Sequence, residues 1–180
     1  MTRQHNKNKS KRVVRKTTLI YCEGMCDEIF VKHLKSLYLD REKIAVTVTS
    51  GNGGYPVKLV NDAITSIEAF DRRCVVLDND RASQEMEKAR IIAKKSDICL
   101  IENTPCLEAL LLSILKDGKN FNTKSSKWCK SQFQMGYITE SKRRSTQEYE
   151  NVFPKSLLDE MRVKVENLNK LLRILENGYY

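Results

Sequence analysis

Residues 17–22 read TTLIYC, an apolar, β-branched run that stops on Glu23-Gly24. A run this short, ended by a turn residue, reads as a buried strand. Further on, residues 74–77 (CVVL) stop on Asp78-Asn79-Asp80. Between the two lie a helical pattern over 27–40, with Ile29, Phe30, Leu34, Leu37 and Tyr38 at helical spacing, and the alternating run IAVTVTS at 44–50. Gly51-Asn52-Gly53-Gly54 then makes a turn, and Pro56 sits where a first helical residue belongs, opening a helix over 57–69. A polar helix over 81–95, a strand at 98–101 (ICLI) and an apolar helix over 106–115 follow.

Strands alternating with helices of this length imply βαβ units and a mostly parallel sheet with right-handed crossovers. Ligands of such sheets bind beyond the carboxyl ends of the strands. Glu23, the 50–54 loop and the two aspartates all fall at that end. Asp78 and Asp80, two apart, point the same way if the strand continues through them. Carboxylates packed so closely repel one another, and a divalent cation is the usual relief. Hard carboxylate oxygens favour Mg²⁺ or Mn²⁺ over zinc.

The spelling IYCEGMCDEIF (20–30) followed by VVLDND (75–80) resembles the Toprim domain, a strand ending in Glu-Gly and a later strand ending in Asp-x-Asp. NTPCLEALLL (103–112) is similar to a stretch of the RloB-like proteins, a Toprim branch found near bacterial restriction and anti-phage loci, and TSGNGGYPVKLV (49–60) looks like that branch too. The matches are spread over residues 17–115. The resemblance implies an α/β, Toprim-like (Rossmann-like), mostly parallel four-stranded sheet flanked by helices, with a C-terminal helical extension. It also implies Mg²⁺-dependent hydrolysis of phosphodiester bonds in DNA or RNA, tRNA included, in a bacterial defence setting. By the same likeness Glu23 is a general acid/base or metal ligand, and Asp78 and Asp80 bind metal.

Two further acids accompany these. Glu28 is either another ligand, as the second glutamate of EGxxxE, or a first-turn acid favoured by the helix dipole. Glu108 opens a very apolar helix, where an unpaired carboxylate is costly to bury; it has either a site role or a helix-capping one. The 51–54 turn either presents backbone N–H groups to a phosphate or is a plain turn, and without GK[ST] it is no P-loop.

The chain has 180 residues and a net charge of +9, enough length for one domain with its own core. Residues 1–16 carry +7, residues 119–144 carry +6, and the remainder is slightly acidic. Such a layout suggests a polyanionic partner, here nucleic acid. Candidate backbone contacts are Lys11, Arg12, Arg15 and Lys16 in the tail, Lys58 and Arg81 near the acids, and Lys124, Lys127, Lys130, Lys142, Arg143 and Arg144 downstream. Trp128, Phe133 and Tyr137 lie among the downstream cations, as base-stacking rings or as core.

The expected organisation is a basic tail (1–16), a catalytic domain (17–115), and a basic loop region with one long helix over 155–176 packed on the same domain. That helix has a near-heptad stripe, Leu157, Met161, Val165, Leu168, Leu172 and Leu175, which packs on the sheet or forms a homodimer seam. No secretory leader or membrane span is legible, and the six scattered cysteines read as reduced thiols, so a cytoplasmic protein is expected. There is no room for an ATPase, so any such motor, or another defence protein, would be a separate partner. The rival function is a nucleic-acid-binding or accessory module of the same fold that does not cut.

Overall fold

The computed structural model describes residues 15–80 and 83–178. Four strands, β1 (Lys16–Cys22), β2 (Ile44–Ser50), β3 (Arg72–Asp78) and β4 (Ile98–Asn103), form one parallel sheet in the order β2-β1-β3-β4. The architecture is α/β and Rossmann-like. The central strands are apolar on both faces because helices cover both: Leu19, Ile20 and Cys22 of β1 and Cys74 to Leu77 of β3 are 0–2% exposed. Edge strand β2 alternates instead, with Ile44, Val46 and Val48 turned inward.

α2 (Pro56–Ile64) and α3 (Ser83–Lys95) cover one face, placing Leu59, Val60, Ala63, Met86, Ala89 and Ala93 against Val75 and Leu77. α1 (Met25–Tyr38) covers the other face together with the C-terminal helices. These are α4 (Leu107–Leu115), α5 (Ser126–Gly136), α6 (Thr146–Val152), α7 (Lys155–Met161) and α8 (Glu166–Asn177). Residues beyond 115 share this core: Phe121, Cys129, Phe133, Tyr149 and Phe153 join the cluster built on Ile20 and Phe30. Among the described residues, no helix is long and apolar enough to cross a membrane. All six cysteines are free thiols.

Two expectations need correction. The polar stretch 117–150 holds the eleven-residue helix α5, a 3-10 turn at Glu140–Lys142 and helix α6, where loops and short elements were expected. Its helical periodicity is hidden because α5 buries only Cys129 and Phe133. The single helix over 155–176 is two helices. Val165 adopts an extended conformation (φ −118°, ψ 99°), and Arg162 forms a two-pronged ion pair with Glu176 at 2.8 Å. In a continuous helix, residues fourteen apart would stand roughly 21 Å apart. The leucine stripe of α8 packs on the sheet and α1, with Leu168, Leu172 and Leu175 fully buried.

Strand order decides where a ligand can enter. The chain runs outward from β1 to β2, returns across β1 to β3, and continues outward to β4. The sequence direction therefore reverses between β1 and β3, which opens a crevice at their carboxyl ends. Glu23 and Asp78 stand at those two ends.

Candidate active site

Glu23 follows β1 directly, and its N–H donates to the Val76 carbonyl at 2.9 Å, extending the parallel ladder by one bond. Its Oε2 accepts the Asp78 N–H at 2.9 Å, so the two acids are tied across the crevice. Asp78, the last residue of β3, turns its Oδ1 to the N–H of Leu107 at 2.8 Å, the opening residue of α4. The amino end of a helix thus faces this carboxylate. The neighbouring loop is pinned by the Asn79 N–H on the Asn103 carbonyl at 2.8 Å.

Two more carboxylates join them. Asp27, in the first turn of α1, is buried, and its Oδ1 has no hydrogen-bond partner. Glu108, in the first turn of α4, is half-buried, and its Oε2 is equally without a partner. Burial, then Glu23 and Glu108, push the Asp27 carboxyl up to about 7. Burial, then Asp27, Glu23 and Glu108, push Asp78 up to about 9, with Lys130 acting in the opposite sense. Lys130 of α5 is the facing cation. Burial disfavours its charge, but Glu108, Asp78 and Asp80 hold its ammonium above the ordinary lysine range.

The remaining candidates divide. Asp80 lies past the end of β3, exposed, and accepts from the Ser126 hydroxyl at 3.4 Å. Since β3 ends at Asp78, strand alternation does not govern the direction of Asp80. Glu28 is engaged by Lys32 and by the Ser50 hydroxyl, bonds that hold its carboxyl below the usual range against the effect of burial. Asp27, its neighbour, is the residue sequence reasoning missed. Positions 27, 30, 31, 34 and 38 form the buried face of α1, so the helical period carried that signal.

Gly51 and Gly53 donate their N–H groups to the carbonyls of Cys22 and Glu23, so the loop serves as a turn that braces the site. Gly53 and Gly54 have φ of +72° and +142°, which only glycine adopts without strain.

Among the basic candidates, Lys127 and Lys130 line an open groove of about 670 Å³ along α5 with Ser126, Ser131, Gln134 and Thr139. Ser126 links this groove to Asp80. Arg143 and Arg144 act on the half-buried Cys26 thiol at the start of α1, near Asp27. Lys142 pairs with Glu148 and Lys58 with Asp62, at 2.9 and 2.6 Å. Lys124 covers the Trp128 ring at 5.3 Å while Phe121 stacks on that ring, and Phe133 is core. Arg15 and Lys16 stand at the amino end of β1, the opposite end of the sheet from the acids. Lys11, Arg12 and Arg81 lie outside the described residues.

Among the described residues, no three His, Cys, Asp or Glu side chains form a ready-made metal-ligating group. The donor chemistry nonetheless suits a hard divalent cation: four carboxyl groups that interact with one another and with Lys130, two of them with a buried oxygen that has no partner.

The family model described as RloB-like protein matches residues 18–176, well past the 17–115 span of the motif resemblance. No curated protein matches the chain, and no solved structure does.

Proposed function

The chain belongs to the RloB-like protein family, and from that premise we propose that it is a metal-dependent nuclease of Toprim type, hydrolysing phosphodiester bonds of DNA or RNA. The observation that carries this reading is the meeting of Glu23, Asp27, Asp78 and Glu108 beside Lys130 at the crevice between β1 and β3. Glu23 and Asp78 each also accept a backbone N–H, but Asp27 Oδ1 and Glu108 Oε2 are buried without a partner, so local hydrogen bonding does not account for the gathering of four carboxyl groups.

Bound there, Mg²⁺ or Mn²⁺ would polarise the phosphodiester and offset charge on the leaving oxygen. Asp78 and Glu23 would hold the cation, with Asp27, Glu108 and Asp80 as candidate further oxygen donors at the same end of the sheet. Because no three of them stand together as a preformed group, a bound cation would need their side chains to gather round it, and Asp78, raised by burial, would have to give up its proton to serve as a ligand. By the Toprim resemblance Glu23 would hold the cation or act as general acid/base. Lys130 balances charge on the phosphate, and the groove of Lys127 and Lys130 holds the strand. A role in bacterial defence, with a separate ATPase or other defence protein as partner, belongs to the same proposal.

The lack of a ready-made ligand group favours one rival, a non-catalytic nucleic-acid-binding module. A Mg²⁺ and Mn²⁺ titration of cleavage on single-stranded DNA, duplex DNA and tRNA separates the two, with Glu23→Ala and Asp78→Ala alongside wild type. Metal-dependent cutting lost in both variants establishes the nuclease. Gel shifts without cutting establish the binding module, and cutting that survives both substitutions removes the acidic centre from the chemistry.

A further inference from the structure

A second cavity, of about 360 Å³, opens at the carboxyl end of β4, the strand next to the one that ends on Asp78. It lies between the β4–α4 connection and the corner joining α7 to α8. Asn103, Asn120, Asn122 and Asn167, with Thr104 and Ser113, supply its neutral polar lining, and Glu102, Lys164 and Glu166 its charged lining. Asn103 is only 1% exposed, and its Nδ2 has no hydrogen-bond partner. Asn167 holds the other end of that amide, donating to the Asn103 Oδ1 at 3.4 Å and to the Glu102 carbonyl at 2.8 Å. Asn103 is therefore oriented from behind, with a buried N–H pair left to offer. Native proteins leave few such donors unmet, so an occupant is expected.

The lining selects the class of occupant. Lys164 is already engaged by Asp117 and Glu160, Glu102 by Arg90 and Glu166 by Lys170, so the charged groups of the lining are paired and leave no open cation for a phosphate or carboxylate. Amides present donors and acceptors together, which suits a neutral planar group with a mixed edge. Asparagine amides read base edges in this way, and unstacked bases are held in such pockets. Position supports the same occupant. Asn103 is the register partner of Asp78, and its carbonyl receives the Asn79 N–H. A base seated here would lie at the same end of the sheet as the acidic centre.

We propose that this cavity is a binding pocket for one unstacked nucleobase of a single-stranded substrate, read by Asn103 and Asn167. The proposal rests on the nucleic-acid reading above and narrows it to strands that can splay a base.

The test uses short single-stranded oligonucleotides carrying one 2-aminopurine, whose emission rises when it leaves the stack. Binding is measured in EDTA with the full chain, and cleavage separately in Mg²⁺. Wild type should raise the emission. Asn103→Leu should lose that rise and bind about tenfold or more weakly. Asn122→Ala, at an exposed rim position, should weaken binding by less while leaving the fold intact. An abasic site in place of the probe should abolish the difference between wild type and Asn103→Leu.

Equal emission and affinity in wild type and both variants overturns the pocket and assigns ordered water to Asn103. Binding of free nucleosides but of no strand also overturns it, as does failure to bind either. Cleavage unaffected by the variants sinks the pocket and leaves the nuclease standing. Base-dependent binding without cleavage does the reverse.

Discussion

Strand β3 is bracketed by two aspartates that meet opposite fates. Asp71, just before it at the amino end of the sheet, accepts from the N–H and the hydroxyl of Thr17 at 2.7 and 2.9 Å. Its own N–H returns a bond to that hydroxyl at 3.0 Å, and these bonds hold its carboxyl below the usual range. Asp78, at the carboxyl end, has a carboxyl pushed up to about 9 by burial and by three other acids. One end of the sheet uses a carboxylate to join β1 to β3. The other gathers carboxylates that oppose one another and leaves two buried oxygens unpaired. Local conflict retained in an otherwise consistent fold is the ground on which the proposed site stands.

The contrast is sharpest in activity. Glu23→Gln and Asp78→Asn should each lower kcat/KM for single strands by about 10²–10⁴-fold. Asp71→Asn should leave it unchanged, and equal losses at both ends would break the comparison. Within the acidic end, Asp27→Asn should reduce turnover by about 10–100-fold, as loss of a supporting metal-site group does. Glu28→Gln, next in sequence but paired with Lys32 and Ser50, should change it by no more than about twofold. The reverse order would return the ligand role to Glu28.

Stability should follow the same division. Asp27 and Asp78 titrate higher in the folded chain, at about 7 and about 9, than in the unfolded chain, where aspartate titrates near about 3.9. The folded protein therefore carries more protons across that interval, and metal-free stability falls as pH rises from about 4 towards 9. Denaturant titrations at several pH values should show the fall. Asp78→Asn should flatten it and raise stability at alkaline pH by about 0.5–2 kcal/mol. Millimolar Mg²⁺ should restore stability to wild type there and do less for the variant, because the cation binds only the folded, charged centre. The smallest effect belongs to Asp71→Asn, a slight fall in Tm whose size does not change above the ordinary carboxylate range. Stability that rises from pH 5 to 9 without metal would refute the mutual repulsion.

Much of this was legible in the chain. Short apolar runs ending on Glu23 and on Asp78 placed two strands and their acids at one end of a parallel sheet, because buried strands and turn residues are local signals. Glu108 was legible for a similar reason, a carboxylate set into an apolar helix. Asp27 was masked by Glu28 beside it, although the spacing to Phe30, Val31 and Leu34 puts it on the buried face. The helices beyond residue 115 were poorly legible, since α5 turns only two side chains fully inward.

What the sequence by itself determined is the alternation of elements, the end of the sheet at which the acids stand, and the residue types available there. Only the tertiary structure decided which carboxylates are paired, which face Lys130, and that the C-terminal stripe folds back at Val165. It also brought Asn103 and Asn167, sixty-four residues apart, to one cavity. Periodicity reports the environment of a residue on its own element, whereas a pKa or an unmet hydrogen bond depends on what distant elements bring beside it.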